Sequence, residues 1–375
     1  MKSTSSENNE LLLTLCSSCC GKVIISGEHS VVYGKPAIAF GINKYTKMYL
    51  SCYKSDNDCF ILVNLLSLKK SFSITKQEII NNNSSDNNIF IHKKHFMHII
   101  NIIIQKVKSI ISFQNINSYI NNHYFIISIS SEILVGFGLG SSGAYNVCIV
   151  NGICSMINNI IGKKIFGVKD ILLLSNEGEK IFHNGTPSGI DVSCSLYGGI
   201  INFNTINAQF NMEIPENNFF LTKIRFLLIN TKIQRNGGEL IKAVKQFKDN
   251  NISLFNELIE EISKLTNEIK KLLMLSETCE KDIKNFFELI KKNQLLLKKI
   301  CVSNKEIDKI VDILEKNGFV GKISGAGGGG CIISFCLKDD YEKLKDLLGK
   351  NKIEYIDIKI SKDPAKLINY NVFKI

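Results

Sequence analysis

An acid and an imidazole stand side by side near the start of the chain, directly after a short apolar run. Residues 21–40 read GKVIISGEHSVVYGKPAIAF, and residues 22–26 have the pattern of a buried strand that ends at Gly27. A turn at this point needs the glycine, which adopts backbone conformations that other residues avoid. The turn does not need the carboxylate of Glu28 or the imidazole of His29. Both side chains are therefore candidates for a chemical function.

A glycine-rich segment is the second candidate. Residues 136–144 read GFGLGSSGA, follow a predicted strand at 124–130 and open a predicted helix that starts near Ser142. Glycines let backbone N–H groups approach an anion, and the N-terminus of a helix attracts negative charge. A serine hydroxyl at this point can cap the helix, or reach a phosphate oxygen or a bound Mg²⁺. The pattern predicts a nucleotide phosphate loop that consists of Gly136, Gly138, Leu139, Gly140, Ser141, Ser142, Gly143 and Ala144.

Other readings of this segment make different predictions. Residues 138–143 also match the dinucleotide fingerprint GxGxxG, which requires an acid about 20 residues later at the end of a second strand. That place holds Gly162-Lys163-Lys164, and helical residues follow it. The Walker A pattern and the HRD and DFG signatures of protein kinases are absent from the sequence. A purely structural helix cap and an oxidoreductase that binds NAD(P)H remain as alternatives.

Two acids flank a turn further along the chain. Residues 178–191 read GEKIFHNGTPSGID, which places Glu179 on a predicted helix and Asp191 after a Pro-Ser-Gly turn. A hard cation that bridges phosphates binds carboxylate and hydroxyl oxygens, so Glu179 and a serine of the phosphate loop could hold it. Asp191 could face the hydroxyl of a substrate or cap the turn, and this segment alone does not decide between the two.

A third glycine-rich segment lies at residues 325–330, between predicted strands at 320–324 and 331–336. A hairpin needs one or two glycines, and each additional glycine costs about 0.5–1 kcal/mol relative to alanine. The run GAGGGG therefore predicts a backbone that passes close to a ligand or to another loop. A surface turn is the alternative.

The elements that position these segments divide into two groups. Strand patterns and amphipathic helices alternate in the first part of the chain, whereas long helical patterns dominate after Gly238. The fold class predicted from this order is α+β with two domains, at residues 1–222 and 223–375. Residues 1–10 are expected to be disordered. The strands and helices predicted along the chain are 22–26, 37–40, 46–52, 124–130, 221–230, 320–324, 331–336 and 353–360, and 94–112, 142–160, 172–183, 239–274, 281–300 and 305–317.

Composition argues against several classes of protein. The net charge of +11 comes from 44 lysines and only two arginines, without a dense basic run interleaved with aromatics, so nucleic-acid binding is not expected. The 12 cysteines form no regular framework, which favours reduced thiols and a cytoplasmic location. No apolar stretch is uninterrupted for the roughly 18 residues of a membrane span, so no membrane association is expected. His92, His95 and His98 follow the pattern HxxHxxH, for which a packing or solvated helix face is favoured over a metal site.

Together, these segments resemble the kinase superfamily named after galactokinase, homoserine kinase, mevalonate kinase and phosphomevalonate kinase. Within it, the mevalonate kinase family is the most similar, and the resemblance covers about residues 16–335 in the family's order. The galactokinase branch would have Gly-Glu-His-Thr-Asp at residues 27–31. The segments that carry the resemblance are GKVIISGEHSVVYGKPAIA, EILVGFGLGSSGAY, GEKIFHNGTPSGID, INTKIQRN, KKNQLLLKKICVS and GKISGAGGGGC.

The resemblance implies a two-domain α+β fold with its active site in the cleft between the domains. It implies ATP-dependent phosphorylation of the primary hydroxyl of mevalonate to 5-phosphomevalonate, a step of isoprenoid and sterol precursor synthesis. ATP and Mg²⁺ are then the expected cofactors. Independently of the resemblance, the long helices after residue 239 carry leucine and isoleucine stripes, which we interpret as core and as a candidate homodimer surface. Alternatives are a phosphomevalonate kinase, another small-alcohol kinase of the superfamily, or a non-catalytic ligand sensor on the same fold.

The resemblance also assigns roles to individual residues. It implies that Asp191 is the catalytic base, that Lys22 is the active-site lysine, and that Ser142 and Glu179 bind Mg²⁺. The residues that it assigns to substrate binding are Glu28, His29, Gly325, Ala326 and Gly327.

The sequence departs from the family pattern at several of these segments. Gly143 replaces an alanine, which is expected to loosen the start of the helix, and Cys19-Cys20 replaces Ala-Pro. The acid segment has one additional residue between His183 and Pro187.

Overall fold

The computed structural model describes residues 10–54, 58–81, 90–110, 120–183, 187–204, 214–215, 217–234 and 237–373. Residues 1–9 of the segment expected to be disordered lie outside this range, and so do Arg235 and the additional residue before Pro187. Glu10, which was included in the disorder prediction, is instead the first residue of a strand. 

The first sheet contains seven strands in the order β11-β1-β2-β5-β3-β4, and β6 pairs with the other end of β2. All pairs in it are antiparallel except the parallel pair β3 and β5. The strands of this sheet are β1 (Glu10–Ser26), β2 (Ala37–Lys54), β3 (Cys59–Leu65), β4 (Lys70–Thr75), β5 (His123–Ser131), β6 (Ile200–Phe203) and β11 (Lys366–Val372).

The second sheet has the order β10-β7-β9-β8 and is antiparallel throughout. Its strands are β7 (Ile224–Asn230), β8 (Val320–Ile323), β9 (Cys331–Leu337) and β10 (Tyr355–Asp357). The change of sheet falls between β6 and β7, and β11 then returns to the first sheet. The division of the chain near residue 222 stays a prediction.

The helices pack against the two sheets. Short 3-10 turns lie at Ser30–Tyr33, Leu66–Leu68 and Lys338–Asp340. The α-helices among the described residues are α1 (Lys76–Asn81), α2 (Ile91–Lys108), α3 (Ser141–Ile161), α4 (Val168–Phe182), α5 (Ile190–Tyr197), α6 (Phe219–Thr222), α7 (Gly237–Asn250), α8 (Ile252–Leu273), α9 (Glu280–Lys299), α10 (Lys305–Lys316) and α11 (Tyr341–Lys350).

Helix α3 is the core helix of the first half. It has the length and the apolar composition of a membrane span, and it is the one helix of the described residues with both properties. Residues 143–154 are buried along the whole of its middle, where they pack against the first sheet and the neighbouring helices. The core of a folded domain accounts for this apolar character without a membrane.

Strand β1 carries the first candidate segment through the core. It runs for 17 residues, and every residue from Leu15 to Ser26 is buried. The sequence predicted only its last five residues because the preceding stretch, CSSCCG, lacks large apolar side chains. A shift of register between Cys20 and Gly21 then aims the end of the strand at the phosphate loop. A Cβ atom on Gly21 would lie 3.0 Å from the carbonyl oxygen of Leu139.

The single helix predicted over residues 239–274 is wrong, because the structure has two helices, α7 and α8, that meet at Asn251. Asparagine is a poor residue for a helix interior and a good one at its boundary, since its side chain competes for backbone hydrogen bonds. Here its amide donates to the carbonyl oxygen of Phe247 at 3.2 Å.

A buried asparagine joins the start of the second sheet to the end of α8. The side-chain oxygen of Asn218 accepts from the backbone N–H of Phe220 at 2.9 Å, which caps α6. Its side-chain N–H group donates to the carbonyl oxygens of Leu273 at 3.1 Å and Leu275 at 2.7 Å. Asn218 is fully buried, so water cannot replace these bonds.

We expect Asn218→Ala to lower the free energy of unfolding by about 2–4 kcal/mol, because three buried backbone groups lose a hydrogen bond that contributes about 1 kcal/mol each. The control is Asn317→Ala, which removes an exposed amide that donates to the carbonyl oxygen of Ile313 at 2.9 Å. The control should cost less than about 1 kcal/mol. Urea unfolding of both variants checks this, and equal losses would contradict it.

Candidate active site

Lys22 lies at the centre of the candidate site. Its ammonium group is 3.1 Å from a carboxylate oxygen of Asp191 and donates to the carbonyl oxygen of Gly138 at 3.2 Å. Its backbone N–H donates to the carbonyl oxygen of Leu139 at 2.9 Å. The Lys22 residue is only 3% exposed. One buried lysine therefore holds both the phosphate loop and the candidate base.

Asp191 lies in the first turn of α5. The N-cap position of this helix is occupied by Gly189, whose φ of 85° is in the left-handed region that favours glycine. Capping therefore does not account for the carboxylate of Asp191, which is paired with Lys22 and remains 27% exposed on its side chain. The turn-cap alternative is wrong, and the carboxylate is available to a ligand in the cleft.

Gly143 allows α3 and α5 to approach each other at Asp191. A Cβ atom on Gly143 would lie 2.7 Å from the carbonyl carbon of Asp191 and 2.8 Å from its Cβ atom. Real Cβ atoms do not come this close to backbone, so the glycine is required by packing. The residue that was expected to loosen the helix start thus also brings the phosphate loop and the base together.

The backbone of the phosphate loop has the conformation that its glycines predict. Gly136, Gly138 and Gly140 have φ angles of 85°, 80° and 70°. The side chains of Leu139 and Ala144 belong to the hydrophobic core, so only their backbone could face a nucleotide. Helix α3 begins directly after the loop, and its first-turn residues Ser141 and Ser142 are partly exposed.

The loop at residues 325–330 packs against other loops. The backbone N–H of Cys331 donates to the carbonyl oxygen of Phe137 in the phosphate loop at 3.2 Å. A Cβ atom on Gly330 would lie 2.7 Å from the same oxygen. The N–H groups of Gly328 and Gly330 donate to the carbonyl oxygens of Val302 and Ile233, each at 2.8 Å. The close approach predicted for this run is confirmed, and the surface turn is wrong.

Glu179 and Ser142 meet beside the phosphate loop. The Ser142 hydroxyl donates to the Oε2 atom of Glu179 at 3.3 Å, and the Nε2 atom of His183 is 2.8 Å from the same oxygen. No cluster of three or more His, Cys, Asp or Glu side chains that could hold a metal occurs in the described ranges. Mg²⁺ in kinases binds one or two protein oxygens together with phosphates and water, so a hydroxyl next to a carboxylate fits it.

Glu28 and His29 belong to the turn that directly follows β1, the strand of Lys22. Glu28 is 1% exposed and forms an ion pair with Lys322, while its second oxygen accepts from the side-chain amide of Asn293 at 3.3 Å. His29 has an unusual φ of 61°, and its Nε2 atom is 2.7 Å from the carbonyl oxygen of Ala326. Both oxygens of the Glu28 carboxylate are thus bound by protein side chains, and the imidazole of His29 contacts the glycine-rich loop at residues 325–330.

Sequence reasoning missed Lys322. This lysine is fully buried in β8, where burial lowers the pKa of its ammonium group and the carboxylate of Glu28 opposes that shift. It also donates to the carbonyl oxygen of Ile24 in β1 at 3.3 Å. A lysine inside the otherwise apolar strand VGKI was the available signal, because an unpaired charge does not remain in a core.

A cleft of about 550 Å³ is lined by Lys22, Asp191 and Glu179 together with Glu28 and His29, whereas Ser142 and the rest of the phosphate loop are not among its lining residues. Both halves of the chain contribute to it, and Gly325 and Ala326 line it, whereas Gly327 packs on Val302 and is not among the lining residues. The lining residues on which the argument rests are Lys22, Glu28, His29, Val31, Val32, Tyr33, Glu179, His183, Asp191, Leu240, Val244, Lys245 and Lys248.

A phosphate loop at a helix N-terminus, a lysine paired with a partly exposed carboxylate, and a shared cleft define the class of small-molecule kinases. Comparison with known families agrees, because the model described as GHMP kinases N terminal domain matches residues 101–199 and the one described as GHMP kinases C terminal matches residues 274–353. The chain thus carries matches to both GHMP kinase domains, and it is an enzyme and a kinase. The resemblance and the two-domain α+β fold are confirmed, and the oxidoreductase and the non-catalytic sensor are wrong.

Curated relatives are similar over most of their length. The mevalonate kinase of Methanocaldococcus jannaschii is 29% identical over 340 residues, which cover 90% of this chain and 97% of the relative. The mevalonate kinase of Arabidopsis thaliana is 28% identical, and the match covers 84% of this chain and 88% of the relative. The crystal structure of the Methanococcus jannaschii mevalonate kinase superposes with a TM-score of 0.68 at 26% identity, over 95% of this chain and 99% of that one.

We expect Gly143→Ala to lower kcat by about 10–100-fold, because the added methyl group displaces Asp191 relative to the phosphate loop and a misplacement near 1 Å can cost that much. The control is Gly349→Ala in α11, where a Cβ atom meets nothing within 4 Å. The control should keep full activity and gain about 0.5–1 kcal/mol of stability. Steady-state kinetics of both variants decide, and an unchanged kcat in Gly143→Ala would contradict the packing argument.

Proposed function

We propose that the protein transfers the γ-phosphate of ATP to the primary hydroxyl of mevalonate and produces 5-phosphomevalonate. The observation that carries the proposal is the position of the Lys22 ammonium group, between the carboxylate of Asp191 and the carbonyl oxygen of Gly138. This places the candidate base next to the loop suited to a triphosphate. The names of the curated relatives support mevalonate as the substrate.

The roles of the residues follow from the demands of phosphoryl transfer, which depends mainly on positioning and on charge stabilisation. Asp191 accepts the proton of the attacking hydroxyl, a contribution typically of about 10²–10⁴-fold. Lys22 fixes the direction of that carboxylate and offers its positive charge to the phosphate in transfer. The backbone N–H groups of residues 136–143 and the N-terminus of α3 bind the triphosphate.

The hydroxyl of Ser142 and the Oε2 atom of Glu179 hold the cation of Mg-ATP in this proposal. Mg²⁺, when bound, neutralises charge on the β- and γ-phosphates. The protein's contribution is the pair of hard oxygen donors, whose oxygens lie 3.3 Å apart.

The part of the cleft that is lined by Val31, Val32 and Leu240 suits a small branched hydroxy acid. Val31 and Val32 form an apolar wall that fits a methyl-bearing carbon, and Leu240 extends it from α7. Lys248 lies with its ammonium group 4.6 Å from the centre of the Tyr33 ring and offers positive charge to a carboxylate. The same charge would suit the additional phosphate of phosphomevalonate, which makes phosphomevalonate kinase the second candidate.

We further propose that the reaction supplies isoprenoid and sterol precursors in the cytoplasm. The relatives' activity supports the first part, and the absence of a regular cysteine framework in the sequence supports the second.

Turnover of purified protein with Mg-ATP and a panel of alcohols tests the proposal. The panel contains mevalonate, phosphomevalonate, homoserine and galactose, assayed through coupled ADP release. We expect kcat/KM to be highest with mevalonate by at least about tenfold. Turnover of phosphomevalonate alone would favour the second candidate, and turnover of none of the four would overturn both.

We expect Asp191→Asn to bind ATP within about threefold of the original affinity and to lose about 10²–10⁴-fold in kcat, because the proton acceptor is removed while the amide oxygen can still accept a hydrogen bond from Lys22. Asp346→Asn, an exposed change on α11, is the matched control and should leave kcat and ATP affinity unchanged. Calorimetric ATP titrations and single-turnover rates give the two readouts. Full kcat in Asp191→Asn would eliminate it as the base.

A further inference from the structure

The histidine pattern on α2 has an unexpected neighbour. His95 is fully buried, and its Nε2 atom forms a short hydrogen bond with the side-chain oxygen of Asn146 on α3. His92 lies beside it with its Nδ1 atom 3.2 Å from the hydroxyl of Tyr145. The packing face predicted for the pattern is confirmed at His95, which leaves the question of what the buried polar pair does.

The bonds of Asn146 fix the direction of its amide. Its Nδ2 atom donates to the carbonyl oxygen of Ser142 at 3.0 Å and to the Oε1 atom of Glu179 at 2.8 Å. Since both of these partners are acceptors, the amide oxygen must be the atom that faces His95, and His95 must donate from Nε2. Its Nδ1 atom then carries no proton, and it has no hydrogen-bond partner among the described residues.

His95 is suited to remain a neutral donor. Burial lowers its pKa to about 3, and the hydrogen bond to Asn146 opposes the shift only in part. At any pH where the enzyme is folded and working, the imidazole therefore keeps one proton, which lies on Nε2. His95 on α2 thus fixes the orientation of the Asn146 amide on α3.

The two oxygens of Glu179 are divided between different partners. Oε1 receives the Asn146 amide, whereas Oε2 faces the hydroxyl of Ser142 and the imidazole of His183. The Glu179 residue is only 2% exposed, so its rotation depends on these contacts rather than on water. Asn146 therefore binds Oε1 of Glu179 and leaves Oε2 directed at the hydroxyl of Ser142.

The residue before Glu179 makes room for this arrangement. A Cβ atom on Gly178 would lie 1.9 Å from the amide oxygen of Asn146 and 2.7 Å from the Nε2 atom of His95. Any side chain there would push the pair away from α4. The glycine, the asparagine and the histidine come from three helices and meet at one point.

We propose that Asn146 is a positioning residue for the cation of the nucleotide, which holds the Glu179 carboxylate so that Oε2 and the Ser142 hydroxyl face the same point, and that His95 orients the Asn146 amide. The inference rests on the proposed function, since it assumes that Glu179 and Ser142 bind the cation. Groups that orient a metal ligand commonly change metal affinity or activity by about 10–100-fold when removed.

The test measures cation binding separately from turnover. The Kd of a non-hydrolysable ATP analogue is measured by calorimetry with and without Mn²⁺, and the ratio of the two values gives the gain that the metal provides. We expect Asn146→Leu to reduce this gain by about 10-fold or more while the metal-free Kd stays the same. The control is Asn151→Leu, which removes another buried amide of α3 that donates to the hydroxyl of Ser17 at 3.2 Å, and it should keep the full gain.

A second pair of variants tests the role of His95 and replaces Asn146→Leu if that variant does not fold. His95→Gln can still donate to the amide oxygen and should keep the metal gain within about twofold. His95→Met cannot donate and should lose several-fold. An unchanged gain in Asn146→Leu or in His95→Met would overturn the assignment of the corresponding residue. Absence of any metal gain in the unaltered protein would instead overturn the proposed function, and the inference with it.

Discussion

The burial of the Lys22 ammonium group is the constraint on which the site depends. Lys22 is carried into the core by β1, where a charge is stable only if it is paired and hydrogen-bonded. Asp191 supplies the charge, and the carbonyl oxygen of Gly138 supplies a hydrogen bond. A Cβ atom on Gly140 would lie 2.7 Å from the Cγ atom of Lys22, so the loop can close over the lysine only with glycine at this position. The glycine pattern of the loop therefore serves the lysine as well as the phosphates.

The two buried lysines near the cleft have different surroundings. Lys22 is paired with a carboxylate that still reaches the cleft, whereas Lys322 and Glu28 are both enclosed. The enclosed pair connects β8 of the second sheet to the turn after β1. At the end of β1, the hydroxyl of Ser26 is also hydrogen-bonded to the side chains of Thr266 and Asn293. Such a network fixes the two halves relative to each other at the floor of the cleft. The carboxylate of Asp191, which is partly exposed in the cleft, then remains accessible to a ligand.

Local sequence patterns and the family resemblance indicated the residues of the candidate site, whereas several elements of the fold around them were not predicted. The glycine-rich segments are local patterns that predicted the phosphate loop, and the resemblance to the kinase superfamily assigned roles to Lys22 and Asp191, so these residues could be proposed without coordinates. The length of β1 could not, because Ser and Cys fill its middle and lack the apolar alternation of a typical strand. Strand β11 was missed because most of its residues are exposed. The partnership of Asn146 with His95 joins positions 51 residues apart, and no local pattern encodes such a contact.

Strand β11 adds one further property to the first sheet. It pairs with residues 13–18 of β1, the strand that carries Lys22, although more than 340 residues separate the two in the chain. During synthesis, the edge of β1 that pairs with β11 therefore stays unpaired until residue 372 has emerged. The phosphate loop and the loop at residues 325–330 have been made well before that point. An unpaired strand edge is a template for association with other chains. The nascent protein thus exposes this edge of β1, the strand that carries Lys22, until residues 366–372 have been made.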